Sequence, residues 1–276
     1  MYKRILILLL IVFLGACQQQ GMETPDDQRN IDPPHDEEQN KEPLLVGGPE
    51  MDVREPHPIS NDQLQQMFPD NVVLHASKDQ KQVALSFDDG PDSRFTPEIL
   101  DVLDKHQVHA TFFMMGSRAK EHPDIVERVD DEGHAIGSHT YWHPNLSEEG
   151  LERLDWEVKE TDETIENIVG YKPRLFRSPY GNLDEKIVER LVDLDHTIVG
   201  WDVDSLDWKQ PGTDVIADNV LSNVSPGSII LMHDGGDWSM DLSGTVESLD
   251  RIITKLKEDG IDFVTIPELI DSQKEK

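Results

Sequence analysis

The 276-residue sequence has a single cysteine, Cys17, so it cannot form an intrachain disulfide. Basic residues are also scarce: 25 lysines and arginines stand against 56 aspartates and glutamates, giving a formal net charge of -31. A field of this sign repels nucleic acid, and we therefore exclude DNA and RNA as partners.

A long apolar run is missing as well. Residues 5–14 form an apolar stretch of about ten residues, half of the roughly twenty that a bilayer span needs. Lys3 and Arg4 precede this stretch and a Leu-Gly-Ala-Cys sequence ends it at Cys17, an order typical of a cleaved signal peptide. The spacing resembles the lipobox of bacterial lipoproteins. That resemblance implies a signal peptide over 1–16, a lipid anchor on Cys17 and an extracytoplasmic, membrane-anchored protein, with plain secretion as the alternative.

Composition divides the remaining chain into two parts. Residues 17–75 are acidic, rich in Gln and Pro and poor in aromatics, so they cannot bury enough apolar surface to order the chain. We expect a disordered tether there, and a weak helical segment around residues 63–68 is a candidate for the start of the folded part. Residues 76–276 have the apolar content and length of one catalytic domain.

Within this domain, short apolar runs alternate with amphipathic segments. Residues 83–87 read as a strand, 96–106 as a helix, and 147–169 as a long helix that Ser147 caps and Gly170 ends. Repeated alternation of this kind predicts parallel strands joined by helical crossovers. About seven strands favour an α/β fold, a distorted (β/α)-barrel related to the TIM barrel.

Polar motifs follow several predicted strands, at the edge where active sites of βα-barrels form. Adjacent strand residues point to opposite faces, so one of Asp88 and Asp89 can turn toward a metal while the other acts as a base. His139 and His143, four residues apart, are expected to meet on one side of a helical turn. Two histidines and one carboxylate leave room for water, the arrangement of a catalytic zinc.

Five motifs, in this order along the chain, resemble those of the NodB-homology polysaccharide deacetylases, carbohydrate esterase family 4. The motifs are Ser-Phe-Asp-Asp-Gly at 86–90, His-x-x-x-His at 139–143, Arg-Ser-Pro-Tyr-Gly at 177–181, Asp-Ser-Leu-Asp-Trp at 204–208 and Leu-Met-His at 231–233. The resemblance covers roughly residues 81–270 and departs at Ser86, where Thr is commoner. It implies a NodB-type barrel that removes acetyl groups from a polysaccharide.

The resemblance also implies which residues perform the reaction. Asp89, His139 and His143 match the ligands of a divalent metal, with Zn²⁺ favoured and Co²⁺ or another divalent ion as alternatives. Asp88 matches the general base, and Arg177 matches the arginine that orients it and keeps it ionised.

The other catalytic assignments come from the later motifs. His233 looks like the acid that protonates the leaving amine, with Asp204 as its partner. The backbone N–H of Tyr180 matches a donor to the oxyanion, and Tyr180, Trp208 and Leu231 match positions that bind substrate around the acetyl group.

The implied substrate is N-acetylglucosamine in peptidoglycan, poly-N-acetylglucosamine or chitin oligomers. An acetylxylan-type O-deacetylase and a non-catalytic glycan-binding lipoprotein are the alternatives, and no residue separates the polymers. The expected partners are the polysaccharide and, through the anchor, the membrane; a monomer is favoured. Aromatic residues near the motifs are candidates for a sugar groove, although Trp201 is expected in the core. They are Tyr141, Trp142, Tyr180, Trp201 and Trp208.

Overall fold

The computed structural model describes residues 60–79 and 81–276, together with Leu45 and Gly48. The predicted signal peptide over 1–16, Cys17 and most of the predicted tether lie outside these residues. None of the helices in the described ranges combines the length and the apolar character that a membrane crossing requires.

Nine strands of the described chain form one sheet, and every strand pair in it is parallel. In chain order they are β1 (Val72–Val73), β2 (Gln82–Asp88), β3 (Thr111–Met114), β4 (Ala135–Ser138), β5 (Leu175–Phe176), β6 (Thr197–Val199), β7 (Val203–Asp204), β8 (Ile229–His233) and β9 (Asp262–Phe263). Eight of them follow the order β1-β6-β5-β4-β3-β2-β8-β7, and β9 pairs with the start of β2. A curled, parallel half-barrel confirms the predicted distorted (β/α)-barrel.

Helices connect the strands and cover the sheet, as parallel strands require. They are α1 (Asn61–Met67), α2 (Thr96–His106), α3 (Gly116–Glu121), α4 (Pro123–Asp131), α5 (Leu151–Val169), α6 (Glu185–Asp193), α7 (Thr213–Asn223), α8 (Ser243–Glu258) and α9 (Ile266–Leu269). The long helix ends at Val169 as predicted, before Gly170 with φ 87. Its start differs from the prediction: Gly150 is the N-cap, and Leu146–Glu148 forms a separate 3₁₀ turn.

Strand β2 shows how the core positions the site. Val83, Leu85 and Phe87 point to one face, where they pack in the main core cluster with the buried leucines of α2. Because side chains alternate along a strand, Ser86 and Asp88 share the opposite face. The fold therefore places one hydroxyl and one carboxylate inside the barrel, on a strand whose residues from Val83 to Leu85 and at Phe87 are apolar.

The boundary of the folded region differs from the prediction. Helix α1 begins with a capping box between Ser60 and Gln63 and buries Leu64 completely. Strand β1 follows and pairs with β6. The segment from 60 to 75 therefore belongs to the domain, not to a tether. Its few apolar residues lie at the edge of the sheet. The average amino-acid composition of the acidic segment does not reveal them.

Candidate active site

The predicted functional side chains gather at the carboxyl ends of the parallel strands. Asp88 and His233 are the last residues of the neighbouring strands β2 and β8, and they are register partners. His139 directly follows β4, Arg177 follows β5, and Asp204 ends β7. Chemistry-bearing groups from five strands thus meet at the edge where barrel active sites form.

The two adjacent aspartates diverge for a reason that strand alternation did not predict. Strand β2 ends at Asp88, and Asp89 has a left-handed backbone with φ 73. The carbonyl of Asp89 accepts a hydrogen bond from Nη1 of the fully buried Arg118 at 2.9 Å. This backbone turn, fixed by an arginine that the sequence did not single out, directs the carboxylate of Asp89 toward the histidine pair.

His139 and His143 meet on a loop, which corrects the predicted helical turn. Thr140 and His143 have left-handed backbones, with φ 66 and φ 55. Such a φ is unusual for β-branched threonine and is typical of strained functional loops. Buried Glu157 of α5 holds the loop, because its Oε2 accepts the backbone N–H groups of Tyr141 at 2.6 Å and Trp142 at 2.8 Å. Glu157 lies on the buried face of α5, the one signal that could have identified it.

Asp89, His139 and His143 form a compact, buried triad. Oδ1 of Asp89 lies 3.1 Å from Nε2 of His139 and 3.1 Å from Nε2 of His143. Ligand atoms of a tetrahedral zinc site are separated by roughly 3.3 Å, given metal–ligand bonds near 2.05 Å. These two separations are close to the spacing that one tetrahedral ion requires, and all three ligand atoms lie within 4.8 Å of one another.

Hydrogen bonds on the far side of each ring fix which nitrogen faces the triad. Nδ1 of His139 donates to the carbonyl of Arg177 at 2.8 Å. Nδ1 of His143 lies 3.0 Å from the hydroxyl of Tyr180, which itself donates to the carbonyl of Gly48 at 2.7 Å. Because the Tyr180 hydroxyl donates its own proton to the carbonyl of Gly48, it accepts the hydrogen bond from Nδ1 of His143. Both rings therefore present an Nε2 lone pair to the triad, as metal-ligating histidines do.

The residues of the triad fit a divalent cation. Three acceptor atoms converge in a buried space, and Oδ1 of Asp89 and Nε2 of His143 have no hydrogen-bond partner. Burial by itself would raise the pKa of Asp89, but the two histidines hold it well below its usual range. Burial lowers the pKa of His143 and so favours its neutral, ligating form, whereas burial of His139 is outweighed by the carboxylates of Asp88 and Asp89, which raise its pKa. An anionic carboxylate beside imidazole lone pairs is the donor set of a catalytic metal site with an open position.

Arg177 and Asp88 form the second element of the site. Nη1 of Arg177 lies 2.6 Å from Oδ1 of Asp88 and 2.9 Å from Oγ of Ser86, both on the same face of β2. The guanidinium also donates to the carbonyls of Val199 and Gly200. The other carboxylate oxygen of Asp88 is 3.9 Å from Nε2 of His139. Asp88 is therefore clamped through one oxygen and presents the other toward the triad.

His233 is paired with Asp207, which corrects the predicted pairing with Asp204. Nδ1 of His233 lies 2.8 Å from Oδ1 of Asp207, whose Oδ2 accepts from the backbone N–H of His233 at 2.8 Å and from Thr245 at 2.9 Å. Asp204 instead accepts the backbone N–H of Leu206 at 2.8 Å. Burial would raise the pKa of Asp207, but His233 and these donors lower it. Asp207 is thus a buried carboxylate in contact with the imidazole.

Of the residues predicted to bind substrate, Trp208 and Leu231 lie close in the chain to this pair, and Tyr180 contacts His143. Trp208 directly follows Asp207, and Leu231 is the register partner of Asp204. Tyr180 has a left-handed backbone, φ 60, in the 3₁₀ turn Pro179–Gly181. All three of these side chains are buried.

The predicted sugar-groove aromatics are largely interior residues. Tyr141, Trp142, Tyr180 and Trp208 are all buried, and Trp201 is half-buried. The prediction did not include Trp238, which is 40% exposed. It follows His233 by only five residues in the sequence, the signal by which it could have been found.

Comparisons with known proteins agree with the motifs. A family model described as polysaccharide deacetylase matches residues 75–199. The peptidoglycan-N-acetylglucosamine deacetylase of Bacillus cereus is 45% identical over 197 residues, which cover 71% of this chain and 70% of that protein. The chitooligosaccharide deacetylase of Rhizobium leguminosarum is 37% identical over 201 residues, covering 70% and 94%.

A solved structure extends the similarity to the fold. The Bc1960 peptidoglycan N-acetylglucosamine deacetylase, crystallised with 4-naphthalen-1-yl-N-oxidanyl-benzamide, is 41% identical and superposes with a TM-score of 0.74. The match covers 77% of this chain and 99% of that one. The chain therefore belongs to the polysaccharide deacetylase family, the NodB-homology proteins of carbohydrate esterase family 4.

Proposed function

We propose that this protein is a metal-dependent hydrolase that removes N-acetyl groups from N-acetylglucosamine units of a cell-wall or surface polysaccharide. One observation carries the proposal: a carboxylate clamped by arginine, Asp88, faces a triad of acceptor atoms, and His233, paired with Asp207, is its register partner on the adjacent strand. Hydrolysis of an amide needs an activated water, a site for negative charge and a proton for the amine, and these groups supply all three.

Asp89, His139 and His143 would hold the ion, with zinc favoured by the nitrogen-rich ligand set. When bound, a divalent ion supplies Lewis acidity, which lowers the pKa of water toward about 7 and polarises the acetyl carbonyl. The hydrogen bonds from the two Nδ1 atoms hold both rings in the ligating tautomer before the ion arrives, so little reorganisation is needed.

Asp88 acts as the general base in this proposal. Arg177 occupies its Oδ1 at 2.6 Å, which leaves Oδ2 facing the triad to take a proton from the attacking water. Arg177 is itself fixed by Ser86 and by carbonyls of the chain after β6, so the carboxylate is oriented before substrate binds.

His233 acts as the general acid. Asp207 holds Nδ1, so Nε2 is the nitrogen that can donate a proton to the departing amine. The negative charge of Asp207 favours the protonated imidazole that this step needs. The backbone N–H of Tyr180 is proposed as a donor to the developing oxyanion, with Trp208 and Leu231 around the acetyl methyl group.

The relatives support peptidoglycan or chitin-type oligomers as the substrate class, because their names specify N-acetylglucosamine deacetylation and chitooligosaccharide deacetylation. The lipobox-like sequence at Cys17 supports a lipid-anchored, extracytoplasmic location, where such polymers occur. We propose a monomer on the membrane surface that acts on glycan around it.

Acetate release tests this function. We expect the purified, zinc-loaded protein to release acetate from N-acetylglucosamine oligomers and peptidoglycan, and to lose that activity when chelated. Faster release from acetylxylan would assign the protein to ester substrates instead. Glycan binding by the metal-loaded protein with no acetate from any of these polymers would identify a non-catalytic binder.

A further inference from the structure

The loop between β8 and α8 presents an exposed aromatic side chain that the proposed reaction does not use. Trp238 lies on this loop with 40% of its surface exposed. It is the one exposed tryptophan among the described residues. Scattered exposed apolar residues are normal in soluble proteins and need no explanation. The contacts that fix this tryptophan are what distinguish it.

Arg94 holds this loop in place through hydrogen bonds to two of its carbonyl groups. Its Nη1 donates to the carbonyl of Trp238 at 2.9 Å and to that of Met240 at 3.3 Å. Its Nε and Nη2 donate to the two carboxylate oxygens of Asp92 at 3.0 and 2.6 Å, and the Asp92 side chain is completely buried. A bidentate pair on a buried carboxylate fixes the guanidinium plane, so the loop is clamped in one position.

The same guanidinium supports the indole ring. Its central carbon lies 4.7 Å from the ring centroid of Trp238 and 4.7 Å from that of Phe95. A cation at this distance stacks against the face of an indole. Arg94 therefore covers one side of Trp238, and the exposed part of the ring lies away from this support.

The clamp joins the two loops that leave the catalytic strands. Asp92 and Arg94 lie on the loop that follows Asp88, and Trp238 lies on the loop that follows His233. Asp88 and His233 are register partners on adjacent strands. Trp238 is thus held at the active-site edge of the sheet, by contacts between the two loops that continue from the strands of the proposed base and the proposed acid.

We propose that Trp238 is a sugar-stacking platform that binds a pyranose unit of the polymer beyond the unit being deacetylated. This subsite rests on the proposed function. The C–H faces of a pyranose are apolar and match the face of an indole, which also carries a polar N–H for a nearby hydroxyl. Because Arg94 and Asp92 have already immobilised the ring, binding a sugar costs little further ordering of the protein.

Substrate length tests the subsite. We expect Trp238→Ala to raise KM about three- to tenfold for the N-acetylglucosamine hexamer, with kcat unchanged and with no change for the dimer. Trp238→Phe should keep most of the affinity because it retains a flat ring, whereas Trp238→Leu should behave like Ala. Met67→Ala, at an apolar residue that is 48% exposed on α1, is the matched control and should leave both substrates unaffected.

Binding without turnover separates this proposal from the function on which it rests. Hexamer titration of the protein at a pH where it is inactive should change tryptophan fluorescence, and Trp238→Phe should remove most of that change. If the wild type binds the hexamer through Trp238 but the zinc-loaded protein releases no acetate at any pH tested, the subsite stands and the proposed function fails. Equal KM values for wild type and Trp238→Ala on the hexamer, or equal losses on dimer and hexamer, would overturn the subsite.

Discussion

Replacing Asp207 by Asn removes the negative charge from the buried partner of His233. Asp207 accepts four hydrogen bonds, two at each oxygen: Oδ1 from Nδ1 of His233 and the backbone N–H of Trp208, Oδ2 from the backbone N–H of His233 and from Thr245. An asparagine of the same shape must direct its NH₂ group at one of these donor pairs. The substitution therefore removes a charge and leaves donors facing each other.

The expected loss of kcat follows from the hydrogen bond between Asp207 and His233. A hydrogen bond between an imidazolium and a carboxylate contributes about 1.5–3 kcal/mol. If Asp207 supports the proton-donating form of His233, losing this interaction reduces kcat roughly 10- to 150-fold. The protonated fraction of His233 falls when the carboxylate is gone, so the alkaline limb of the pH–rate profile should move to lower pH. A purely structural loss would lower activity without moving that limb.

The assay is kcat for acetate release from N-acetylglucosamine oligomers, measured across pH on zinc-loaded protein and well below the melting temperature of each variant. Asp204→Asn is the matched control. Asp204 is the last residue of β7, at the same edge of the sheet, but the carboxylate that contacts Nδ1 of His233 is that of Asp207. We expect that control to keep the wild-type pH profile. A larger loss of kcat in Asp204→Asn than in Asp207→Asn, together with a shifted alkaline limb, would refute the pairing described here.

Three further predictions concern the groups around the triad. Asp88→Asn should abolish turnover while zinc content stays at the wild-type level, whereas Asp89→Asn should lose zinc, as metal analysis of the purified variants would show. Tyr180→Phe removes the hydroxyl that holds His143, so zinc affinity measured by competition with a chelator should fall about 10- to 100-fold. Burial and neighbouring carboxylates raise the pKa of Asp234 to about 7, so the metal-free wild type should lose stability, at most roughly 4 kcal/mol, as pH rises from about 4 to about 7. Asp234→Asn should lack this loss in urea unfolding, and an unchanged pH dependence would contradict it.

The architecture could be predicted because it follows from patterns that repeat along the chain. Strand β2 illustrates this: its apolar run from Val83 to Phe87 identifies a buried parallel strand, and Asp88 at its end marks the functional edge. The metal-binding residue types and their order were also visible in the sequence, so the triad of Asp89 with two histidines was expected.

Local backbone geometry was the part that the sequence did not reveal. Asp89, Thr140 and His143 themselves have left-handed backbones. The spacing of hydrophobic residues in the sequence does not predict such conformations. The choice between Asp204 and Asp207 as partner of His233 depends on a sharp turn at Leu206, with φ 56. Both aspartates are compatible with the motif, and only the turn decides which carboxylate meets the imidazole.

Long-range contacts were equally hidden. Glu157 shapes the histidine loop from a helix fifteen residues away, and Gly48 reaches Tyr180 across 132 residues of sequence. These groups act through hydrogen bonds to backbone atoms or to another side chain, and a single sequence does not show which partner such a group contacts. The start of the folded region was placed too late for a similar reason, since Leu64 is the one buried residue of a short, mostly polar helix.

Zinc titration of the metal-free protein, with acetate release as the readout, tests directly whether the Asp89–His139–His143 triad holds a catalytic metal. We expect acetate release from N-acetylglucosamine oligomers to be absent without metal, to rise with added zinc and to saturate at one ion per chain. Asp89→Asn should show no such saturable rise. Acetate release by protein shown to be free of metal, or full activity of Asp89→Asn at equal zinc, would show that this triad does not hold the catalytic ion.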